Sequence, residues 1–140
     1  MSDVPSERKK QVMEHDAGRE ESIYLVKDRA NIAYDAGDYA EALRYFQQLN
    51  QITSEPLRTP LLHKYGVCLA REGKKDEALA VFNRAVKEGR DSLYDVLSGL
   101  EKAVILLQKG KKEDALDALK KAKELDSKTF NTYSRKIKLK

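Results

Sequence analysis

The residues able to do chemistry are few. His15 and His63 are the only histidines, and Cys68 is the only cysteine, among 140 residues. One such chain cannot assemble a zinc site of four nitrogen and sulfur ligands. A single thiol forms no intrachain disulfide, in keeping with a reducing compartment. Acidic pairs stand at Glu20-Glu21, Asp76-Glu77 and Glu113-Asp114. They read as first-turn helix charges, which the positive end of the helix dipole favours, and not as catalytic dyads. Gly73-Lys74-Lys75 and Gly110-Lys111-Lys112 set lysines beside glycine, but they lack the preceding strand and the glycine spacing of a phosphate loop. Cys68 falls on the apolar side of its segment and reads as an inert core thiol. The expectation is a protein that is not an enzyme and has no metal and no cofactor.

The glycines organise the chain. Gly37-Asp38-Tyr39-Ala40-Glu41-Ala42-Leu43 aligns with Gly73-Lys74-Lys75-Asp76-Glu77-Ala78-Leu79, and then with Gly110-Lys111-Lys112-Glu113-Asp114-Ala115-Leu116. The glycines are 36 and 37 residues apart. Seven residues before each lies a small residue, namely Ala30, Gly66 and Ala103. Five before stand Ile32, Cys68 and Ile105, and four before stand Ala33, Leu69 and Leu106. On the other side, Ala42, Phe46 and Leu49 share one helical face. So do Ala78, Phe82 and Ala85, and again Ala115, Leu119 and Ala122. Each unit therefore reads as helix, tight turn, helix, with small residues where the two helices approach. The spacing predicts helices over about 20–36, 39–52, 60–72, 75–88, 92–109 and 112–125. Thr59 before Pro60, Asp91 or Ser92, and Ser127 are the expected N-caps, and Gly89 an expected C-cap. Ser54-Glu55-Pro56 reads as a loop. Phe130, Tyr133 and Ile137, at i, i+3 and i+7, predict a short helix that covers the last repeat.

This pattern resembles the tetratricopeptide repeat, a helix-turn-helix with a small residue in its first helix and Ala-x-x-x-Phe in its second. Ala42-x-x-x-Phe46 and Ala78-x-x-x-Phe82 match, Ala115-x-x-x-Leu119 is a variant, and Tyr65-Gly66 makes the middle repeat the best match. Trp is absent, Arg29 and Lys102 stand where a large apolar residue is usual, and the closing proline is missing. The resemblance implies an all-α fold, a right-handed superhelical array of three helix-turn-helix repeats with a short C-terminal capping helix. The expected organisation is a flexible or marginally helical segment over 1–19, in which a helix would start near Ser6. The repeat domain follows over 20–129, with repeats at about 23–56, 59–92 and 96–129, and a capping helix with a basic tail over 130–140.

Composition agrees. Hydrophobic residues make up 41% and charged residues 36%, which is too apolar for disorder and too charged for a membrane protein. The longest apolar run, Ala103 to Leu107, is far short of the roughly 20 residues that span a bilayer. No signal-peptide core follows the N-terminus, so a cytoplasmic protein is expected, and the likeness in organisation to small bacterial three-repeat scaffolds implies one of bacterial type. The net charge is +4, yet Lys128, Arg135, Lys136, Lys138 and Lys140 crowd the last fourteen positions without an acid. The body is thus close to neutral, and nucleic acid is not the expected partner.

The resemblance also implies a concave groove, lined by the first helix of each repeat, that grips a peptide or helical segment of another protein. Carried over by position, its residues are Tyr24, Lys27, Asn31 and Tyr34, then His63, Lys64, Val67 and Arg71, then Leu97, Leu100, Glu101, Val104 and Leu107. Such a groove is basic and aromatic at one end and aliphatic at the other. The carboxylate clamp of chaperone-tail receptors fits Lys27 and Asn31 but fails at Lys64, Leu97 and Glu101. A glutamate there would repel a carboxylate by around 1 kcal/mol. The expected function is therefore a protein-binding adaptor or scaffold. Alternatives are homo-oligomeric assembly, such as a homodimer, through the stripe Leu97, Leu100, Val104 and Leu107, and binding of nucleic acid or an anionic surface by the basic tail. That stripe needs a cover, which can be the C-terminal segment, a partner or a second chain.

Overall fold

A computed structural model describes residues 22–53, 57–88 and 91–135. The chain divides into two compact units, Met1–Pro56 and Leu57–Lys140. The first contains α1 (residues 22–35) and α2 (Tyr39–Ile52). The second contains α3 (Thr59–Arg71), α4 (Lys75–Glu88), α5 (Ser92–Gln108), α6 (Lys112–Leu125) and α7 (Ser127–Ser134). No strand occurs among the described residues. The expectations for residues 1–21, for the 54–56 loop, for Gly89 and for 136–140 lie outside the described residues.

Each helix pair turns in the same way. Gly37, Gly73 and Gly110 take φ of 78°, 80° and 77°, the left-handed region in which a Cβ is strained. Gly37 N–H donates to Tyr34 C=O at 3.0 Å, and Asp38 N–H donates to Ala33 C=O at 2.9 Å. Gly73 and Lys74 bond Ala70 and Leu69 in the same register, as Gly110 and Lys111 bond Leu107 and Leu106. This double bond pattern satisfies the last carbonyls of the first helix and reverses the chain for the second.

The helices that the turns bring back pack closely. In the first unit, Val26, Ala30 and Ala33 of α1 and Ala42, Leu43, Phe46 and Leu49 of α2 are buried. In the second, Gly66 of α3 lies against the ring of Phe82 on α4, so closely that an added Cβ would sit 2.5 Å from Cε1. Burial of that ring alone contributes about 1.5–3 kcal/mol. Ala103 and Leu106 of α5 meet Ala115 and Ala118 of α6, with Leu79 of α4 packed beside them. Finally, α7 lays Phe130 and Tyr133 on Val96, Leu100 and Ala122.

Two caps differ from expectation. The N-cap of α3 is Arg58, with no side-chain hydrogen bond, and Thr59 is already helical and buried. The Thr59 hydroxyl is buried and makes no hydrogen bond. At α7 the cap is Asp126, whose carboxylate accepts from Thr129 N–H at 3.1 Å, one residue before Ser127. At α5 it is Asp91, accepting from Tyr94 N–H at 3.3 Å.

Because Phe82 is enclosed, Gly66→Ala should lower stability by about 1–3 kcal/mol. Urea unfolding followed by circular dichroism measures this, and an unchanged midpoint would contradict the close approach.

Candidate interaction surface

Within the second unit, α3 and α5 lie side by side. Their contacts advance together along both helices, from His63 with Tyr94 and Ser98 to Arg71 with Glu101. The two helices therefore run in the same direction. Tyr94, Ser98, Glu101 and Ile105 form the α5 face turned to α3, which follows from their spacing of three and four.

His63 lies beneath this face, not on it. It is buried, its Nδ1 shares a hydrogen bond with Ser98 Oγ at 3.1 Å, and its ring stands 6.0 Å from that of Phe82 and 5.6 Å from that of Tyr94. Burial drives its pKa from 6.5 down to about 4, and the positive charges of Lys64 and Arg71 add to the effect. Val67 is buried as well. The expected groove positions of α3 thus divide, with Lys64 half-buried and Arg71 49% exposed in its side chain.

The expected stripe on α5 divides too. Leu100 is fully buried with Val96 and Ala122 under Phe130 and Tyr133, and Leu107 packs beside the Ala103–Leu106 cluster. Leu97 and Val104 are half-buried between that core face and the α3-facing side. A helix advances about 100° per residue, so a stripe four residues long straddles both environments. Glu101 turns toward Arg71, Oε1 lying 3.6 Å from Nη2 with only 13% of the Glu101 side chain exposed. Burial raises its pKa, against the pull of Arg71.

Tyr24, Lys27, Asn31 and Tyr34 lie on α1 in the first unit. Tyr24 and Lys27 are exposed and Asn31 is half-buried, while Tyr34 stacks edge-on with Tyr39 at 5.6 Å. Beside them, Arg29, Ile32 and Ala36 with Glu41 and Tyr45 wall an open depression of about 310 Å³. Ile32 is 61% exposed, whereas its counterparts Cys68 and Ile105 are buried. Ile105 lies on the α5 face turned to α3.

Sequence reasoning does not single out Ser98 and Tyr94 as the partners of His63. Nor does it find the ion pair in which Lys109 Nζ meets Asp76 Oδ1 at 2.6 Å, tying the end of α5 to the start of α4. These pairings join residues 31 to 35 apart, and no local pattern records them. Among the described residues, no group of three or more His, Cys, Asp or Glu side chains is placed to hold a metal ion. No helix among them is long and apolar enough to cross a membrane.

Three helix pairs closed by identical turns define a class of helical-repeat proteins. Residues 33–100 match one tetratricopeptide-repeat family model, and residues 100–129 match a second. The chain belongs to the tetratricopeptide-repeat family, whose repeats mediate protein–protein interaction. No curated protein matches the chain.

Two outcomes test this environment. The folded state holds His63 neutral, while the unfolded chain takes up its proton near pH 6.5. The stability from a neutral His63 is thus complete above about pH 6.5 and lost as the pH falls to about 4. Wild type should therefore lose about 2–3 kcal/mol more than His63→Gln between pH 7 and 4.5 in urea titrations; equal losses would contradict it. Burial also pushes the Cys68 thiol up to about 12. An aromatic disulfide reagent at pH 8 should leave it unreacted in the native protein and titrate it fully in denaturant.

Proposed function

We propose that this protein is a binding adaptor whose second unit holds a segment of a partner protein along the face shared by α3 and α5. The observation that carries this reading is a pair of parallel rows. Lys64 and Arg71 lie seven residues apart on α3, and Leu97 and Val104 lie seven apart on α5, each pair spanning about 10 Å. Burial is the main cause of the lowered His63 pKa, and the positive charges of Lys64 and Arg71 add to it. The second row leaves aliphatic surface partly open beside it. A peptide or helical segment with acidic side chains next to aliphatic ones fits both. Family membership supports the same kind of partner, because tetratricopeptide repeats bind proteins.

The test is capture by the tagged full-length chain. Lys64→Glu combined with Val104→Glu should weaken capture of the wild-type partner at least tenfold while the circular dichroism spectrum stays helical. Leu100 is unsuitable for substitution because it is fully buried. Undiminished capture by the double variant would contradict the reading. Capture that vanishes instead on removal of 136–140, and falls steeply with salt, would favour an anionic partner of the basic tail. A concentration-dependent dimer that the double variant dissolves would favour self-assembly.

A further inference from the structure

We infer that the outward face of α1 docks a helix of a partner protein whose aliphatic seam is flanked by Lys or Arg. Ile32 is 61% exposed, whereas its counterparts Cys68 and Ile105 are buried. Ile105 lies on the α5 face that receives α3, so this position in the repeat is one that seats a helix. Leu25, Arg29, Ile32 and Ala36 follow one another at spacings of four, three and four, the seam spacing by which two helices pack along each other. Leu25 is 44% exposed, and Arg29 and Ala36 are exposed as well. Ala36 keeps the row, because its N–H still donates to Ile32 C=O at 3.0 Å. Between the seam and α2 lies the depression walled by Arg29, Ile32, Ala36, Glu41 and Tyr45, a seat for a leucine-sized side chain.

Charge identifies the occupant. Asp28 is three residues after Leu25 and four before Ile32, and Asp35 is three after Ile32, so both flank the seam on one side. Asp38 and Glu41 flank it on the other, across the depression. Asp28 and Asp35 are exposed and pair with no base among the described residues. The Asp38 carboxylate accepts from Glu41 N–H at 3.2 Å, and that of Glu41 accepts from the Tyr45 hydroxyl at 3.4 Å. These are neutral donors, which leave the negative charge in place. Against the four acids the seam carries one base, Arg29. A second copy of this face would set the acids against their like. The complement is a helix with bases on both flanks of its aliphatic seam.

Fluorescence anisotropy of two synthetic helical peptides with the full chain tests this. Both carry Leu at the seam spacing, one with Lys at the flanking positions and the other with Glu. The Lys peptide should bind more tightly than the Glu peptide by roughly tenfold or more. Its affinity should fall about tenfold with Leu25→Ser plus Ile32→Ser, fall about threefold with Asp28→Asn plus Asp35→Asn, and weaken with added salt. Val104→Ser, on the face proposed for α3 and α5, should leave it unchanged, so the two surfaces are tested apart. Equal affinity for the two peptides, unchanged affinity in the seam or the aspartate variant, or loss with Val104→Ser would each overturn the inference. A dimer in sedimentation that Ile32→Ser dissolves would overturn it too, because a second copy would then hold the face.

Discussion

The left-handed backbone at Gly37, Gly73 and Gly110 is the constraint on which the other features rest. With φ near +80°, each glycine lets the second helix of a pair return along the first. Close return is useful only if little stands between the axes, and Ala30, Gly66 and Ala103 sit seven residues before the turns, where the helices meet. The ring of Phe82 then reaches the backbone at Gly66. Turn chemistry and packing chemistry thus specify the same hairpin, a consistency between levels that favours one native arrangement.

That packing decides which side chains line the proposed face. In the second unit the contact of α3 with α5 draws His63, Ser98 and Tyr94 inward and ties Glu101 to Arg71. Placement of α7 removes Leu100 from the surface. Lys64, Arg71 in its pair with Glu101, and the half-buried Leu97 and Val104 line the proposed face, held on helices rather than loops. Rigid presentation limits the ordering cost of the proposed binding.

Local pattern makes much of this fold legible. For α2 to α6 the repeat spacing places each helix within one residue of the observed bounds, because a glycine turn and a 3.6-residue period are both local signals. The site is less legible because its exposure depends on neighbouring helices. Leu97 and Leu100 read alike in sequence, yet one is half-buried and the other enclosed, since only Leu100 points to where α7 lies. His63 reads as a surface residue by its position in the repeat, but the pocket formed by Phe82, Tyr94 and Ser98 takes it in. Ile32 errs in the other direction, matching the buried Cys68 and Ile105 by position and yet 61% exposed. Thr59 lies one residue inside α3, and Arg58 holds the cap position.

The claim that the α3–α5 face is the binding surface is tested most directly by site-specific photo-crosslinking in the host cell. A photoreactive residue at Val104 should yield a discrete crosslinked product with another polypeptide. The same residue at exposed Glu113, on α6, should yield none. Products of equal yield and identity from both positions, or a product from Glu113 alone, would contradict the account.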